Sequence, residues 1–312
     1  MRILLIKTSS LGDVIHALPA LTDAAWFVPN LTCDWVLEEA FAEIPTWHPV
    51  INKVIPIALR RWRKNPLNAL MNGEVSEFLH DLRAEKYDLI IDAQGLFFKS
   101  GLIALFAHGV SCGYDRESVR DKWAALCYKQ KFHVSKNAHA ITRIRDLFAQ
   151  ALHYSLPKNA PSFAINIGSI PSNDWNGPTL IFLHGTSRAD KCWPEEYWIE
   201  LANLATQSGF SVLIPWGNQE EKARAERISA NCQNVEILPK LNLTQLAQIF
   251  LQAKAVITVD SGLGHLAAAL EIPTISIYTN TDPKLIGTVG KHVIHLLTPT
   301  AEEVWGAMNK WS

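Results

Sequence analysis

Three groups of residues in this chain have the types and spacing that chemistry needs. The first is Lys7-Thr8-Ser9-Ser10-Leu11-Gly12-Asp13. Asp13 follows a glycine just behind the short apolar run Ile3–Ile6, and a carboxylate there can take a proton from a hydroxyl as general base. The same Asp can equally serve the first turn of a helix, stabilising it by capping and by its charge. Lys7 ends the run, where a buried point charge needs an anionic partner. The second group is His184-Gly185-Thr186-Ser187-Arg188-Ala189-Asp190-Lys191-Cys192-Trp193-Pro194. The hydroxyls of Thr186 and Ser187, the Lys191 ammonium and a following helix suit a diphosphate. A capped solvent loop would read the same way, and the G-x-x-x-x-G-K-[ST] spacing of a Walker A loop is absent. The third group is Asp260-Ser261-Gly262-Leu263-Gly264-His265. Here Asp260 suits sugar hydroxyls, and Ser261 and Gly262 offer N–H groups to phosphate. His265 is either a phosphate contact or a core histidine.

The third group also fits another chemistry. Gly262-x-Gly264-x-x-Ala267 after a strand, with Asp282 about twenty residues on, matches the dinucleotide pattern and would suit an NAD-dependent dehydrogenase. Asp260 counts against that, because it places an anion where a pyrophosphate would approach. The late position of the motif in the chain counts against it too.

Positive charge concentrates at Arg60-Arg61-Trp62-Arg63-Lys64, four cations in five residues. Such a run is either a solvated face or an anion-binding loop. Arg120, Lys122, Lys136, His139 and Arg143 either extend it or are ordinary surface charge. Asp92-Ala93-Gln94-Gly95 ends a further strand and lines the same edge. No Asp-x-Asp occurs, and no Cys/His cluster has metal-ligand spacing, so no divalent metal is implied.

Elements that could position these groups alternate along the chain. Strands are expected at Ile3–Ile6, Thr32–Leu37, Val54–Ala58 and Asp88–Asp92, with helices over Val14–Trp26, Ala40–Trp47, Leu67–Lys86, Leu96–His108 and Ala138–Leu152. Ser155–Pro178 holds four prolines and reads as a linker with a short irregular strand. A second series follows, with strands at Thr179–His184, Phe210–Pro215, Val235–Leu238, Ala255–Asp260, Thr274–Tyr278 and Val293–Leu297. Pro194 is placed at the first position of a helix Glu195–Gln207, and Ala301–Trp311 is a last helix that could lie across the boundary between the halves. Alternation of this kind argues for an α/β fold of parallel βαβ units. The expectation is two doubly wound, Rossmann-like lobes facing a shared cleft, 1–160 and 161–312.

The bulk numbers agree. The 312 residues are 48% hydrophobic and 19% charged, with a formal net charge of −1, so no overall field draws the protein to nucleic acid. The five cysteines form no C-x-x-C pair and read as reduced thiols of a cytosolic protein. The N-terminal run is too short for a signal-peptide core, and no stretch approaches the ~18 apolar residues of a membrane span. A two-lobed protein that binds sugar nucleotides without chemistry is a further alternative, though such proteins are usually exported.

Taken together and in order, these motifs resemble the ADP-heptose–lipopolysaccharide heptosyltransferases, glycosyltransferase family 9, and within it most closely the branch whose acceptor is a Kdo sugar. The carriers are Lys7–Asp13, Arg60–Lys64, Asp92-Ala93-Gln94-Gly95-Leu96, Lys191-Cys192-Trp193-Pro194-Glu195-Glu196, Leu213-Ile214-Pro215-Trp216-Gly217 and Val259–Leu266. The resemblance implies a GT-B fold and a metal-independent, inverting transfer of heptose from ADP-heptose to Kdo on lipid A, with no cofactor. It implies a peripheral enzyme at the cytoplasmic face of the inner membrane; a heptosyltransferase acting later in the core is the alternative. By the same resemblance Asp13 is the catalytic base. Thr186, Ser187, Lys191, Glu221, Asp260, Ser261, Gly262 and His265 hold the ADP-sugar. Lys7, Ser10, Arg60, Arg61, Arg63, Lys64 and Arg120 hold the acidic acceptor. Thr279-Asn280 stands where the family commonly has Gly-Pro, Ser261 where Thr is usual, and the tail after Val293 is short.

Overall fold

The computed structural model describes residues 1–171, 175, 177–230 and 232–311. The chain divides into two compact units, Met1–Asn166 and Ile167–Ser312. Each holds one six-stranded sheet, and every strand pair is parallel.

The first unit contains β1 (Arg2–Ile6), β2 (Thr32–Glu38), β3 (Ile51–Ile57), β4 (Lys86–Asp92), β5 (His108–Tyr114) and β6 (Gln130–Phe132). Their order across the sheet is β3-β2-β1-β4-β5-β6. The second unit contains β7 (Thr179–Leu183), β8 (Ser211–Ile214), β9 (Val235–Ile237), β10 (Ala255–Val259), β11 (Thr274–Tyr278) and β12 (Val293–Leu297), ordered β12-β11-β10-β7-β8-β9. Read from the opposite edge, the second order is the first one repeated. Both are the doubly wound arrangement, in which the strand order reverses at the centre of the sheet.

That reversal positions the site. β1 lies between β2 and β4, with Ile6 level with both Val36 and Asp92. The loops leaving β1 and β4 therefore start side by side. In the second unit Thr258 of β10 is level with Leu183 of β7, so the loops after β7 and β10 do the same. The central strands are unbroken apolar runs, fully buried in β1 from Ile3 to Ile6 and along all of β7, β10 and β11. Such runs belong to strands covered on both faces.

Several expected elements differ. Val14–Trp26 is two helices, Leu11–Ile15 and Leu18–Phe27. Ala40–Trp47 is a 3₁₀ turn and a short helix, Glu43–Thr46. Leu67–Lys86 is split into Pro66–Met71 and Glu74–Arg83 by Gly73, whose φ of 76° ends one helix and starts the next, and Lys86 already belongs to β4. Leu96–His108 is a π turn, Phe97–Gly101, followed by Leu102–Phe106, and His108 opens β5. β5 and β6 were not expected at all. β5 carries Gly109 and Gly113, which weaken any strand signal. Both are glycines for lack of room: a Cβ on Gly113 would lie 2.5 Å from the Tyr128 ring, and one on Gly109 would lie 2.6 Å from the Tyr87 carbonyl oxygen. Pro194 caps the helix Glu195–Gln207 and is not its first residue. Between 155 and 178 no strand occurs among the described residues; the part of that expected linker at 172–174 and 176 lies outside them. The helix Ala301–Met308 buries Val304, Ala307 and Met308 in the core of the second unit, with Leu201, Ala202 and Ala205 of Glu195–Gln207.

Candidate active site

In the first unit the loop after β1 is organised around Asp13. Ser10 caps the helix Leu11–Ile15, and the Asp13 carboxylate reaches back to the Ser10 N–H at 2.9 Å. The Ser10 hydroxyl donates to the same oxygen, Oδ2, at 3.1 Å. Lys7, itself buried, donates its Nζ to Asp13 Oδ1 at 3.3 Å and to the Ala93 carbonyl at 3.3 Å. The Asp13 side chain is still 38% exposed. Partial burial pushes its carboxyl upward, but the Lys7 ammonium and the two Ser10 hydrogen bonds outweigh that and hold it below the ordinary carboxylate value. Helix capping and chemistry, which the residues alone left as alternatives, are thus compatible. Both oxygens are engaged, Oδ2 by Ser10 and Oδ1 by Lys7, and the ionised group is still partly open to solvent.

The loop after β4 holds this arrangement in place. Gln94 Oε1 accepts from the backbone N–H of Thr8 at 3.1 Å and of Ser9 at 3.2 Å. Gln94 and Gly95 in turn donate their N–H groups to Asp92 Oδ1, at 2.8 and 3.0 Å. The Tyr128 hydroxyl donates to Asp92 Oδ2 at 2.6 Å. Burial raises the Asp92 carboxyl, opposed by these donors. Arg120 joins the same edge, because the following Asp121 N–H donates to the Gly95 carbonyl at 3.1 Å.

The cationic run occupies the short helix Leu59–Trp62 and the turn after it. The Arg60 guanidinium lies over the Phe41 ring, and the Arg60 backbone N–H donates to Glu38 Oε1 at 3.1 Å. Arg61 is paired with two carboxylates, Glu39 at 3.1 Å and Glu74 at 2.6 Å. It is therefore a strut between the helix Glu74–Arg83 and the turn after β2, its charge already engaged by two carboxylates. Arg63 and Lys64 are exposed and make no ion pair among the described residues.

In the second unit the loops after β7 and β10 meet. Lys191 Nζ donates to Asp260 Oδ2 at 2.6 Å, with the two side chains 17% and 7% exposed. The Thr186 hydroxyl donates to the Asp260 carbonyl at 3.0 Å. Ser261 caps the helix Gly262–Ala269, accepting from the Gly264 N–H at 3.3 Å. A Cβ on Gly264 would lie 2.7 Å from Thr258, so this glycine lets the helix sit close on β10. Close packing of strand and helix, which this loop shares with nucleotide-binding folds, accounts for the dinucleotide-like pattern. Asp282, its supposed acidic partner, caps the turn Pro283–Ile286 by accepting from Lys284 N–H. His265 is buried in that helix. Glu221 accepts from the Gly217 N–H at 2.7 Å and from Asn218 Nδ2 at 2.9 Å, and its carboxylate fills the space beside Gly185. It ties the loop after β8 to the loop after β7. Ser187 is exposed beside Arg188, whose guanidinium pairs with Asp190.

Residue types alone missed one support. Asn280 Nδ2 donates to Asp190 Oδ2 at 3.0 Å, and the Thr279 hydroxyl donates to the Asp190 carbonyl at 2.9 Å. The departure from the family pattern thus fastens the loop that carries Lys191. Its signal was the departure itself. The structure also gathers Asp115, Glu117 and His133, with possible ligand atoms within 4.8 Å of one another. Their geometry is that of a turn: Asp115 accepts from the N–H groups of Glu117 and Ser118 and pairs with His133.

Two doubly wound units, one with an exposed carboxylate at its switch point and one with a cation and a helix start at its own, define a nucleotide-sugar glycosyltransferase of the two-Rossmann type. The family model described as Glycosyltransferase family 9 (heptosyltransferase) matches residues 75–305, and the chain belongs to that family. It is 47% identical over 296 residues to lipopolysaccharide heptosyltransferase 1 of Pseudomonas aeruginosa, covering 95% of this chain and 83% of that one. Among solved structures it is similar to E. coli heptosyltransferase WaaC with ADP, at 43% identity and a TM-score of 0.95 over 100% of both chains. The same enzyme with ADP-2-deoxy-2-fluoro heptose matches at 42% identity and a TM-score of 0.91, again over 100% of both. The dehydrogenase and the non-catalytic binding protein are not favoured by these relatives.

Proposed function

We propose that this enzyme transfers heptose from ADP-heptose to a Kdo sugar of the lipopolysaccharide inner core carried on lipid A, with inversion and without a metal. The observation that carries the reading is Asp13, an ionised and still accessible carboxylate fixed at the switch point by Lys7 and Ser10. It accepts the proton of the acceptor hydroxyl as that oxygen attacks the anomeric carbon. The bond from that carbon to the diphosphate breaks with its electron pair, leaving ADP. Negative charge grows on the diphosphate, and Lys191 and the N-terminus of Gly262–Ala269 are the groups suited to stabilise it. Thr186, Ser187, Ser261 and Gly262 line the same loops, and His265 stands in the first turn of that helix. Asp260, freed from Lys191, and Glu221 suit sugar hydroxyls of the donor. Lys7, Ser10, Arg60, Arg63, Lys64 and Arg120 suit the acidic acceptor, with Arg61 as their support.

No helix among the described residues is long and apolar enough to cross a membrane. The enzyme works at the cytoplasmic face of the inner membrane as a peripheral protein. The test is direct. The protein, ADP-heptose and Kdo-bearing lipid A should yield a product heavier by one heptose, with EDTA present or absent. Transfer only to an acceptor that already carries heptose would assign the enzyme to a later step. Loss of activity on EDTA would show that a metal takes part.

A further inference from the structure

Large apolar side chains stand in solvent on one side of the first unit. Leu67, Leu70 and Met71 occupy positions i, i+3 and i+4 of the helix Pro66–Met71, so they share one helix face. Phe98 lies in the π turn after β4, and Trp123 and Leu126 lie in and beside the turn Ala124–Cys127 before β6. All six are between 63% and 85% exposed.

Three observations relate the segments that carry them. Right-handed crossovers from β3 to β4, β4 to β5 and β5 to β6 all run in one direction across the sheet, so the segments that carry these residues share a face and its edge. Gly101 at the end of the π turn sits against Ala124 and Cys127, and the Phe97 N–H donates to Asp121 at 3.1 Å. Arg60 and Lys99, one from each side of the patch, both lie within electrostatic reach of Glu38.

Cations flank this surface. Arg63 and Lys64 stand just before Asn65, the cap of the helix Pro66–Met71, Lys99 follows Phe98, and Lys122 precedes Trp123. No acidic residue occurs from Leu59 to Gly73. An exposed apolar helix face with adjoining Lys and Arg, and a Trp at its rim, has the composition of an element that lies in a bilayer interface over anionic headgroups. A protein partner would not need cations on both flanks, nor would a second copy of a chain with net charge −1.

We infer that this face docks the enzyme on an anionic lipid surface, with Leu67, Leu70, Met71, Phe98, Trp123 and Leu126 entering the interface and Lys99 and Lys122 pairing with headgroups. The inference deepens the reading that the acceptor is membrane-borne, and it can fail separately from it. The full chain is sedimented with phosphatidylglycerol-containing vesicles that carry no acceptor, and with pure phosphatidylcholine vesicles. Binding is expected to the first, weakening as salt is raised, and to be slight with the second. The triple variant Leu67→Ser, Leu70→Ser, Met71→Ser and the pair Lys99→Gln, Lys122→Gln should each lower binding at least ten-fold. All five positions are outside the core, and circular dichroism checks the fold. With a deacylated, water-soluble Kdo acceptor both variants should keep wild-type kcat/KM; with the acceptor embedded in vesicles they should lose most of it. Wild-type vesicle binding by the triple variant, equal binding to neutral vesicles, or a wild-type dimer that the triple variant abolishes would each overturn the inference. Heptose transfer to the soluble acceptor would stand in every one of those cases.

Discussion

At the scale of the residue, the proposed chemistry rests most heavily on Asp13. Asp13→Asn keeps the shape and removes the basic oxygen, so kcat should fall by about 10²–10⁴-fold with ADP affinity unchanged. Turnover within a few fold of wild type would reduce Asp13 to a helix cap. Its folded pKa is held below the free value, so the base form persists as pH falls past the ordinary carboxylate range. The stability those contacts contribute is present above the free pKa and is lost as pH drops through the lowered one. Lys7→Met removes the largest stabilising charge, and the acid limb of kcat/KM should move to higher pH. A limb that stays in place would show that Ser10 alone sets it. In the second unit, Lys191→Ala should weaken ADP binding by roughly 1.5–3 kcal/mol and slow transfer. Calorimetry that returns wild-type ADP affinity would remove Lys191 from the diphosphate.

At the scale of the element, the switch points depend on single side chains that join loops far apart in sequence. Gln94 is the plainest case, one amide oxygen holding two N–H groups of the Thr8–Ser9 turn. Gln94→Leu leaves both donors unmatched, at a cost of about 1–3 kcal/mol in each buried case, and should lower kcat while sparing ADP affinity. Gln94→Glu keeps the accepting oxygen and should restore much of the rate; equal loss in both variants would assign Gln94 to packing alone. The sequence made most of this architecture readable. Long apolar runs with small-residue loops at their ends stand out in a linear chain, and so did ten of the twelve strands. β6 was hidden because it is three residues long and two of them are polar, and β5 because its glycines answer to Tyr128 and Tyr87, neighbours that only the fold brings near. Helix breaks were hidden for the same reason. Gly73 takes a left-handed φ inside a stretch whose apolar spacing is otherwise helical. Among the proposed site residues, the family motifs supplied the expected positions. They did not reveal that Arg61 is already held by Glu39 and Glu74, since that triangle spans three separate segments.

At the scale of the molecule, a buried histidine in each unit, His48 and His184, resists protonation. His48 in the first unit accepts from the Val50 N–H on Nδ1 and meets the Thr22 hydroxyl at 3.0 Å. His184 in the second lies against the edge of Trp198, and neither ring nitrogen has a hydrogen-bond partner among the described residues. Burial lowers both to about 4 from the usual 6.5, aided at His184 by Arg224. The unfolded chain therefore binds more protons between those values, and stability should decline as pH falls from about 6.5 to 4, on the order of 3 kcal/mol per histidine. Urea unfolding across that range checks it. A His184→Phe variant should flatten the decline, and an unchanged slope would clear His184 of the effect.

With Lys191 in its proposed role, the pair it makes with Asp260 gives nucleotide capture an unusual character. The cation that should greet the diphosphate is already neutralised by an anion of the protein itself. Binding is then an exchange of one partner for another, not the filling of an open charge. Little long-range attraction remains to guide the nucleotide in, so the association rate should respond weakly to ionic strength. On the way out the roles reverse. Asp260 stands ready to reclaim Lys191 as the product leaves, and so competes with ADP for the group proposed to stabilise its departure.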